Sequence, residues 1–155
     1  ETGNKIQIEN NLYFYVLWPT SANMISDNAI NNNSLVCKLI YKNFSMLFTG
    51  DIEEIAEKAI LSKYINKQEL LKADILKVAH HGSKTSSIKE FINAVSPKYA
   101  VIGVGKDNKF GHPSEKTLET LNDKNVKIYR TDISGEIMII IDGDKVRIEG
   151  GCDTS

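Results

Sequence analysis

The sequence predicts an α/β (α+β) fold: one mixed-direction β-sheet with helices on one face. Three observations carry that expectation. The first third of the chain is a series of strand-like runs. The middle alternates strand, helix, strand, helix, strand. The end reads as a hairpin. Lys5-Ile6-Gln7-Ile8 alternates polar and apolar residues, Asn10-Asn11 is a turn, and Leu12 to Trp18 is aromatic and β-branched up to Pro19, which together give a hairpin. Thr20 to Asn33 is polar and Asn-rich with little periodicity, and is expected to be a loop. Ser34 to Tyr41 and Phe44 to Phe48 are strands about a Lys42-Asn43 turn. From Ile52 to Tyr64 the period becomes helical. Ile52, Ile55, Ala56, Ala59 and Ile60 form the apolar face, Glu53, Glu54, Glu57 and Lys58 the solvated one, and Asp51 stands at the N-cap. Ile65 to Lys72 is a connection with room for a helical turn. Asp74 to Ala79 is a short buried strand, and Thr85-Ser86-Ser87 offers caps for a helix from Ile88 to Val95, broken by Pro97. Tyr99 to Val104 is a strand, Gly105 to Pro113 a loop, and Ser114 caps a helix from Glu115 to Lys124 with Leu118 and Leu121 on one face. Val126 to Tyr129 is a strand and Asp132 to Gly135 a turn. Glu136 to Ile141 and Lys145 to Ile148 close the chain as a hairpin around Asp142-Gly143.

Composition sets limits on function. The chain has 155 residues, a 41% apolar share, a 25% charged share and a net charge of -1, which is one domain's length with material for a core. The net charge gives no sign of nucleic-acid binding, and no basic run supplies one locally. No apolar run approaches the roughly 18–20 residues that cross a bilayer. Glu1-Thr2-Gly3-Asn4-Lys5 has neither the basic start nor the apolar middle of a signal peptide. It lacks a Met and leads straight into a strand, as expected of a piece of a longer protein. Of the two cysteines, Cys37 lies in an apolar strand and reads as a small core residue. Cys152 lies in a polar tail, and their spacing forms no disulfide framework.

All three histidines fall in short motifs just beyond strand-like runs or in loops between elements. Thr49-Gly50-Asp51 and Ala79-His80-His81-Gly82-Ser83 each follow a strand, and Gly111-His112-Pro113 lies in the loop after another. Loops at the carboxyl ends of strands are where α/β folds carry their sites. A carboxylate and imidazoles on one rim suit a divalent metal. Asp51 reads either as a plain N-cap or as a carboxylate bridging two ions. His80 and His81 read either as satisfied turn residues, with Gly82 supplying a left-handed conformation, or as a metal ligand beside a neighbour that is hydrogen-bonded or faces substrate. Spacing leaves open which of the two ligates. His112 reads either as a surface-loop residue or as a lid group acting on the leaving atom, with Lys106 and Lys109 flanking it.

Further pieces join these motifs in order along the chain: Leu17-Trp18-Pro19, Asn33-Ser34-Leu35-Val36, Leu47 to Ile52, Asp74 to Ser83, Ser86-Ser87, Ser96-Pro97, and Tyr129-Arg130-Thr131-Asp132 leading to Gly135. From about Lys5 onward the chain resembles the metallo-β-lactamase-like domain of ComEC-type DNA-uptake proteins. The resemblance implies an αββα sandwich with a metal site at the sheet rims, of which residues 1–155 would be the C-terminal part. It implies metal-dependent hydrolysis and, in the intact parent, nuclease action on the DNA strand that is not transported. Asp51 would be the bridging carboxylate, His80 and His81 metal ligands, His81 and His112 catalytic groups, and the cofactor two divalent ions, Zn²⁺ or Mn²⁺. The superfamily's upstream His-x-His/Asp-x-Asp-His cluster has no counterpart, since no His precedes His80. The implied partners are therefore the remainder of the same domain, single-stranded DNA as substrate, and a membrane channel in the parent, with the domain on the outer side of the membrane. This piece alone is expected to be inactive, to bind metal weakly if at all, and to be prone to self-association through exposed sheet. Rival readings are another hydrolase of the same fold (a lactonase, phosphoesterase or thioesterase) and a metal-free binding or structural module.

Overall fold

The computed structural model describes residues 2–142 and 145–151. Seven strands form one sheet in simple sequence order: β1 (Lys5–Glu9), β2 (Leu12–Trp18), β3 (Val36–Tyr41), β4 (Phe44–Phe48), β5 (Ile75–Lys77), β6 (Tyr99–Ile102) and β7 (Lys127–Arg130). β1 to β4 pair antiparallel, β1–β2 and β3–β4 through short turns and β2–β3 through a longer connection. β4 to β7 pair parallel, which requires crossovers. Three helices make them: α2 (Glu54–Lys63), α3 (Lys89–Val95) and α4 (Glu115–Asn122), after a single-turn α1 (Ala29–Asn32) between β2 and β3. A separate hairpin, β8 (Glu136–Asp142) with β9 (Lys145–Gly151), follows the one-turn α5 (Thr131–Ser134). The mixed sheet with helices is the α/β architecture the sequence predicts. Gly143, in the expected hairpin turn, and Cys152 lie outside the described residues. Cys37 is half-buried in β3, and burial raises its thiol pKa.

Period-2 alternation divides the sheet into two faces. Leu17, Leu47, Leu76, Ala100 and Ile102 point to the helices, where they meet Ile60, Phe91, Ile92 and Leu121 in one core. Full burial of such side chains contributes about 1.5–3 kcal/mol each. On the other face, Ile139 and Ile141 of the terminal hairpin share a small cavity with Leu39, Phe44, Met46 and Ile75.

Several local expectations change. The Asn-rich stretch is ordered by side-chain hydrogen bonds: Trp18 Nε1 donates to Asn32 O at 2.8 Å, buried Asn32 Nδ2 to Asp27 O, and Asn33 Nδ2 to Ile25 O. Helix α2 begins at Glu54, not Ile52, so Asp51 is not its N-cap. Its buried residues are Ala56, Glu57 and Ile60, while Ile55 is 46% exposed. Glu57, expected on the solvated face, is fully buried because its carboxylate closes the start of α3. It accepts from Ser87 N at 2.7 Å and Ile88 N at 2.9 Å. That leaves the Thr85-Ser86-Ser87 hydroxyls no capping role there, and α3 has no side-chain cap at Ile88. The Ser114 cap of α4 is present, accepting from Thr117 N.

Burial pushes the Glu57 carboxyl up to about 7, against the two backbone N–H groups that favour its charged form. The folded chain thus holds this proton more tightly than the unfolded chain, where Glu titrates near ~4.3. The contribution to stability is full below the unfolded value and is lost as pH rises through the folded one. In urea unfolding at pH 5 and pH 8, the parent should lose roughly 2–3 kcal/mol more than Glu57→Gln across that interval. Parallel pH profiles for the two proteins would remove Glu57 as the titrating group.

Candidate metal centre

Parallel strands put the loops that follow them on one rim. The loops after β4, β5 and β6 carry Asp51, the His80-His81 pair and His112 respectively. Backbone and side-chain bonds then lock the loops together. Thr49, fully buried, donates from Oγ1 to Lys77 O at 2.6 Å and clamps the end of β4 to β5. Gly50 adopts φ +54, and a Cβ there would stand 2.7 Å from Ser34 Cβ, so the chain passes only as glycine. Gly50 O accepts from His80 N at 3.0 Å, and Gly82 O from Ser114 N at 2.8 Å. All three sequence motifs thereby share one surface.

The histidine pair does not continue the strand. β5 stops at Lys77, and His80 (φ 47), His81 (φ 55) and Gly82 (φ 82) are three successive left-handed residues. Such a conformation costs roughly 1–2 kcal/mol per non-glycine residue. It persists here because both flanks are pinned, a pattern that strained functional turns share. The turn sends the two imidazoles to different partners. His81 Nδ1 lies 2.6 Å from Gly103 O, which requires the proton on Nδ1, since a carbonyl only accepts. In the neutral ring Nε2 is then the acceptor nitrogen, and it stands 3.7 Å from Asp51 Oδ1. His80 turns inward, its Nδ1 buried without a hydrogen-bond partner, 3.4 Å from Glu53 Oε1.

Glu53 is a site residue that periodicity missed. Helical spacing places it on the solvated face, but it precedes the helix and is held over His80. Its carboxylate accepts from Asn28 Nδ2 and Thr85 Oγ1, both at 2.9 Å, and its N–H donates to Asn32 Oδ1. An imidazole backed by a carboxylate is the common second layer of metal sites. Lys77 is another. Its Nζ donates to Val78 O at 3.0 Å, and burial lowers its pKa while the Asp51 charge raises it. The hint for both lay in the motifs' flanks, Asp51-Ile52-Glu53 and Lys77-Val78-Ala79.

His112 completes the rim. Its ring meets that of His80 edge-on, centroids 5.8 Å apart, and Nδ1 is buried without a partner. Burial lowers its pKa, helped by His80 and His81, so the ring is neutral near pH 7. Asn108 builds the loop from inside: Nδ2 donates to His112 O and Gly105 O, and Oδ1 accepts from Phe110 N and His112 N. Thr131 of the Tyr-Arg-Thr-Asp motif bonds both the N–H and the C=O of Val104, fixing the strand end that presents Gly103 O to His81. Arg130 and Asp132 pair bidentately beside it at 3.0 and 2.6 Å.

Two donors that each bind one ion at about 2.0–2.1 Å stand some 3–4 Å apart. Asp51 Oδ1 and His81 Nε2, at 3.7 Å, meet that requirement. Among the described residues no group of three His, Cys, Asp or Glu side chains converges. Asp51 and His81 therefore fit a divalent cation as part of a donor set.

No protein-family model matches the chain. It is 39% identical over 135 residues to ComE operon protein 3 of Bacillus subtilis, an alignment covering 87% of this chain and 16% of that protein. It is 36% identical over 124 residues to Competence protein ComA of Neisseria gonorrhoeae (80% and 17%). It is 30% identical over 138 residues to Recombination protein 2 of Haemophilus influenzae (89% and 16%). These relatives point to the family of competence and DNA-uptake proteins. The chain spans about a sixth of the length of each.

Two glycines test how the motifs are locked. A Cβ on Gly82 would come 2.6 Å from Pro113 Cβ, whereas one on Gly111, also at positive φ, meets nothing within 4 Å. In urea unfolding, Gly82→Ala should cost about 2–4 kcal/mol, strain plus clash, and Gly111→Ala only about 1–2 kcal/mol. Equal losses would mean that the His80-His81 turn and the His112-Pro113 loop do not bear on each other.

Proposed function

We propose that this chain is the C-terminal part of a metallo-β-lactamase-like domain, and that its parent is a DNA-uptake protein whose domain hydrolyses phosphodiester bonds of the strand that is not transported. The relatives' names support a role in DNA uptake. The observation that carries the hydrolytic reading is the His81–Asp51 pair: an Nε2 lone pair and a carboxylate oxygen 3.7 Å apart, with the other imidazole nitrogen committed to Gly103 O. A group built only to stabilise a turn has no need of that tautomer facing that carboxylate. Asp51 and His81, with His80 behind them, would hold divalent ions (Zn²⁺ or Mn²⁺) together with donors from the upstream part of the domain.

Bound there, such ions supply charge stabilisation for a pentavalent phosphoryl group and a water acidic enough to react near neutral pH. The chain's own residues do the rest. Gly103 O fixes the His81 tautomer, and Glu53 sets the angle of His80. His112, neutral at working pH, keeps its buried Nδ1 as the unpaired lone pair, because an orphaned N–H costs more. Its proton is then on Nε2, from which it would give a hydrogen bond to the leaving oxygen and support the charge that develops there. Half-buried Lys77 adds a positive charge beside Asp51.

The parent protein, supplied with Mn²⁺ or Zn²⁺, should cut single-stranded DNA. Asp51→Ala and His81→Ala should each lower the rate by about 100-fold or more, and Glu53→Gln should weaken metal affinity or activity by about 10- to 100-fold. Cleavage should fall steeply as salt rises, which a lactonase or thioesterase would not show. Asp51→Ala cutting as fast as the parent would refute the assignment, and a parent that binds no divalent metal would leave a binding or structural module.

A further inference from the structure

Phe110 is 81% exposed, a large apolar ring held out to solvent at the lip of the candidate centre. Exposure of one apolar residue is ordinary, but this one is held in place. Phe110 N donates to Asn108 Oδ1, the same oxygen that accepts from His112 N, so the frame that sets His112 also fixes the backbone from which the ring projects. One face of the Phe110 ring lies nearly parallel to His112, centroids 5.9 Å apart at 22°. His112 meets His80 edge-on at 5.8 Å. An unbroken run of rings therefore leads from the outer surface to the metal-site histidines. Lys106 and Lys109, both exposed, flank the ring on the same loop, with Asp107 as the one opposing charge there.

We propose that Phe110 is a base-stacking residue. It holds a nucleobase of a single-stranded polynucleotide while Lys106 and Lys109 meet the adjoining phosphates, so that a phosphodiester lies before Asp51 and His81. This rests on the polynucleotide substrate of the reading above. A flat aromatic face next to ammonium groups matches a strand that alternates flat bases with anionic phosphates. Duplex bases already spend both faces on each other, so the ring selects single strands. It serves any base, because every base has a π face, and it would make the site one for nucleic acid rather than for small phosphodiesters.

The test uses this chain in EDTA, so that binding is read without cleavage, and a single-stranded DNA 12-mer carrying one 2-aminopurine, whose fluorescence falls on stacking. The parent chain should bind and quench the probe. Phe110→Ala and Phe110→Leu should each bind about 5- to 150-fold more weakly without quenching, and Phe110→Trp should retain both. Replacing the base at the stacked position by an abasic site should weaken binding to the parent by the same factor and leave Phe110→Ala indifferent. Lys106→Ala with Lys109→Ala should flatten the salt dependence while quenching persists on the bound fraction. Three results overturn the proposal: no binding by the parent chain, equal affinity of the parent and Phe110→Ala, or an equal loss on normal and abasic DNA (which would make Phe110 a packing contact). The hydrolase reading fails separately, by absence of Mn²⁺- or Zn²⁺-dependent cleavage in the unsubstituted parent protein. Stacking without cleavage leaves Phe110 in its role and removes hydrolysis.

Discussion

Parallel pairing of β4, β5 and β6 is the constraint on which the site depends. In a parallel sheet every strand must end on the same side, and each return must run as a helix over the face. The register Phe48↔Lys77↔Val101 thus places the chain's chemically interesting loops next to one another, although their residues are some thirty and sixty positions apart. Thr49 tightens this arrangement by bonding Lys77 O, and His80 N tightens it again by donating to Gly50 O. The antiparallel half of the sheet brings no residue of the centre directly, but the loop between β2 and β3 reaches it through Asn28 and Asn32, which hold Glu53.

Two carboxylates on the first parallel crossover show how burial changes what a residue does. Glu57 is fully enclosed and serves the backbone, satisfying two N–H groups that begin α3. Glu53, four residues earlier and just outside the helix, lies at the mouth of the same crossover and serves a side chain, His80. Replacing Glu57 with an apolar residue would leave two N–H groups unpaired in a place water reaches poorly, the costly case for hydrogen bonds. Strain at His80, His81 and Gly82 is tolerated for the same reason: the surrounding bonds over-determine the turn, and the conformation aims two adjacent imidazoles at separate carboxylates.

The relatives and the geometry speak to different properties of the chain. Similarity to competence proteins concerns the biological setting and says nothing about bond chemistry. The His81–Asp51 pair concerns chemistry and says nothing about setting. The proposed nuclease role needs both, and the proposed stacking role of Phe110 adds the link between them, a reason for the site to take a polynucleotide.

Sequence alone determined the order and type of most elements, because alternation and helical spacing are local properties, and it marked Asp51, His80, His81 and His112 through their place after strands and in loops. It also set the Ser114 cap, a contact spanning one turn. Only the tertiary structure decided the rest. Glu57 and Ile55 exchanged expected environments because periodicity gives the faces of a helix but not what packs on each. Glu53 and Lys77 joined the site through partners distant in sequence, Thr85 and His80 for the one and Asp51 for the other. Which histidine meets Asp51 was settled by φ angles of the wrong sign for a strand, and those are imposed by Gly50 and Gly103, on the loops either side. Local pattern fixes what a segment can be. Where its side chains point depends on neighbours that only folding supplies.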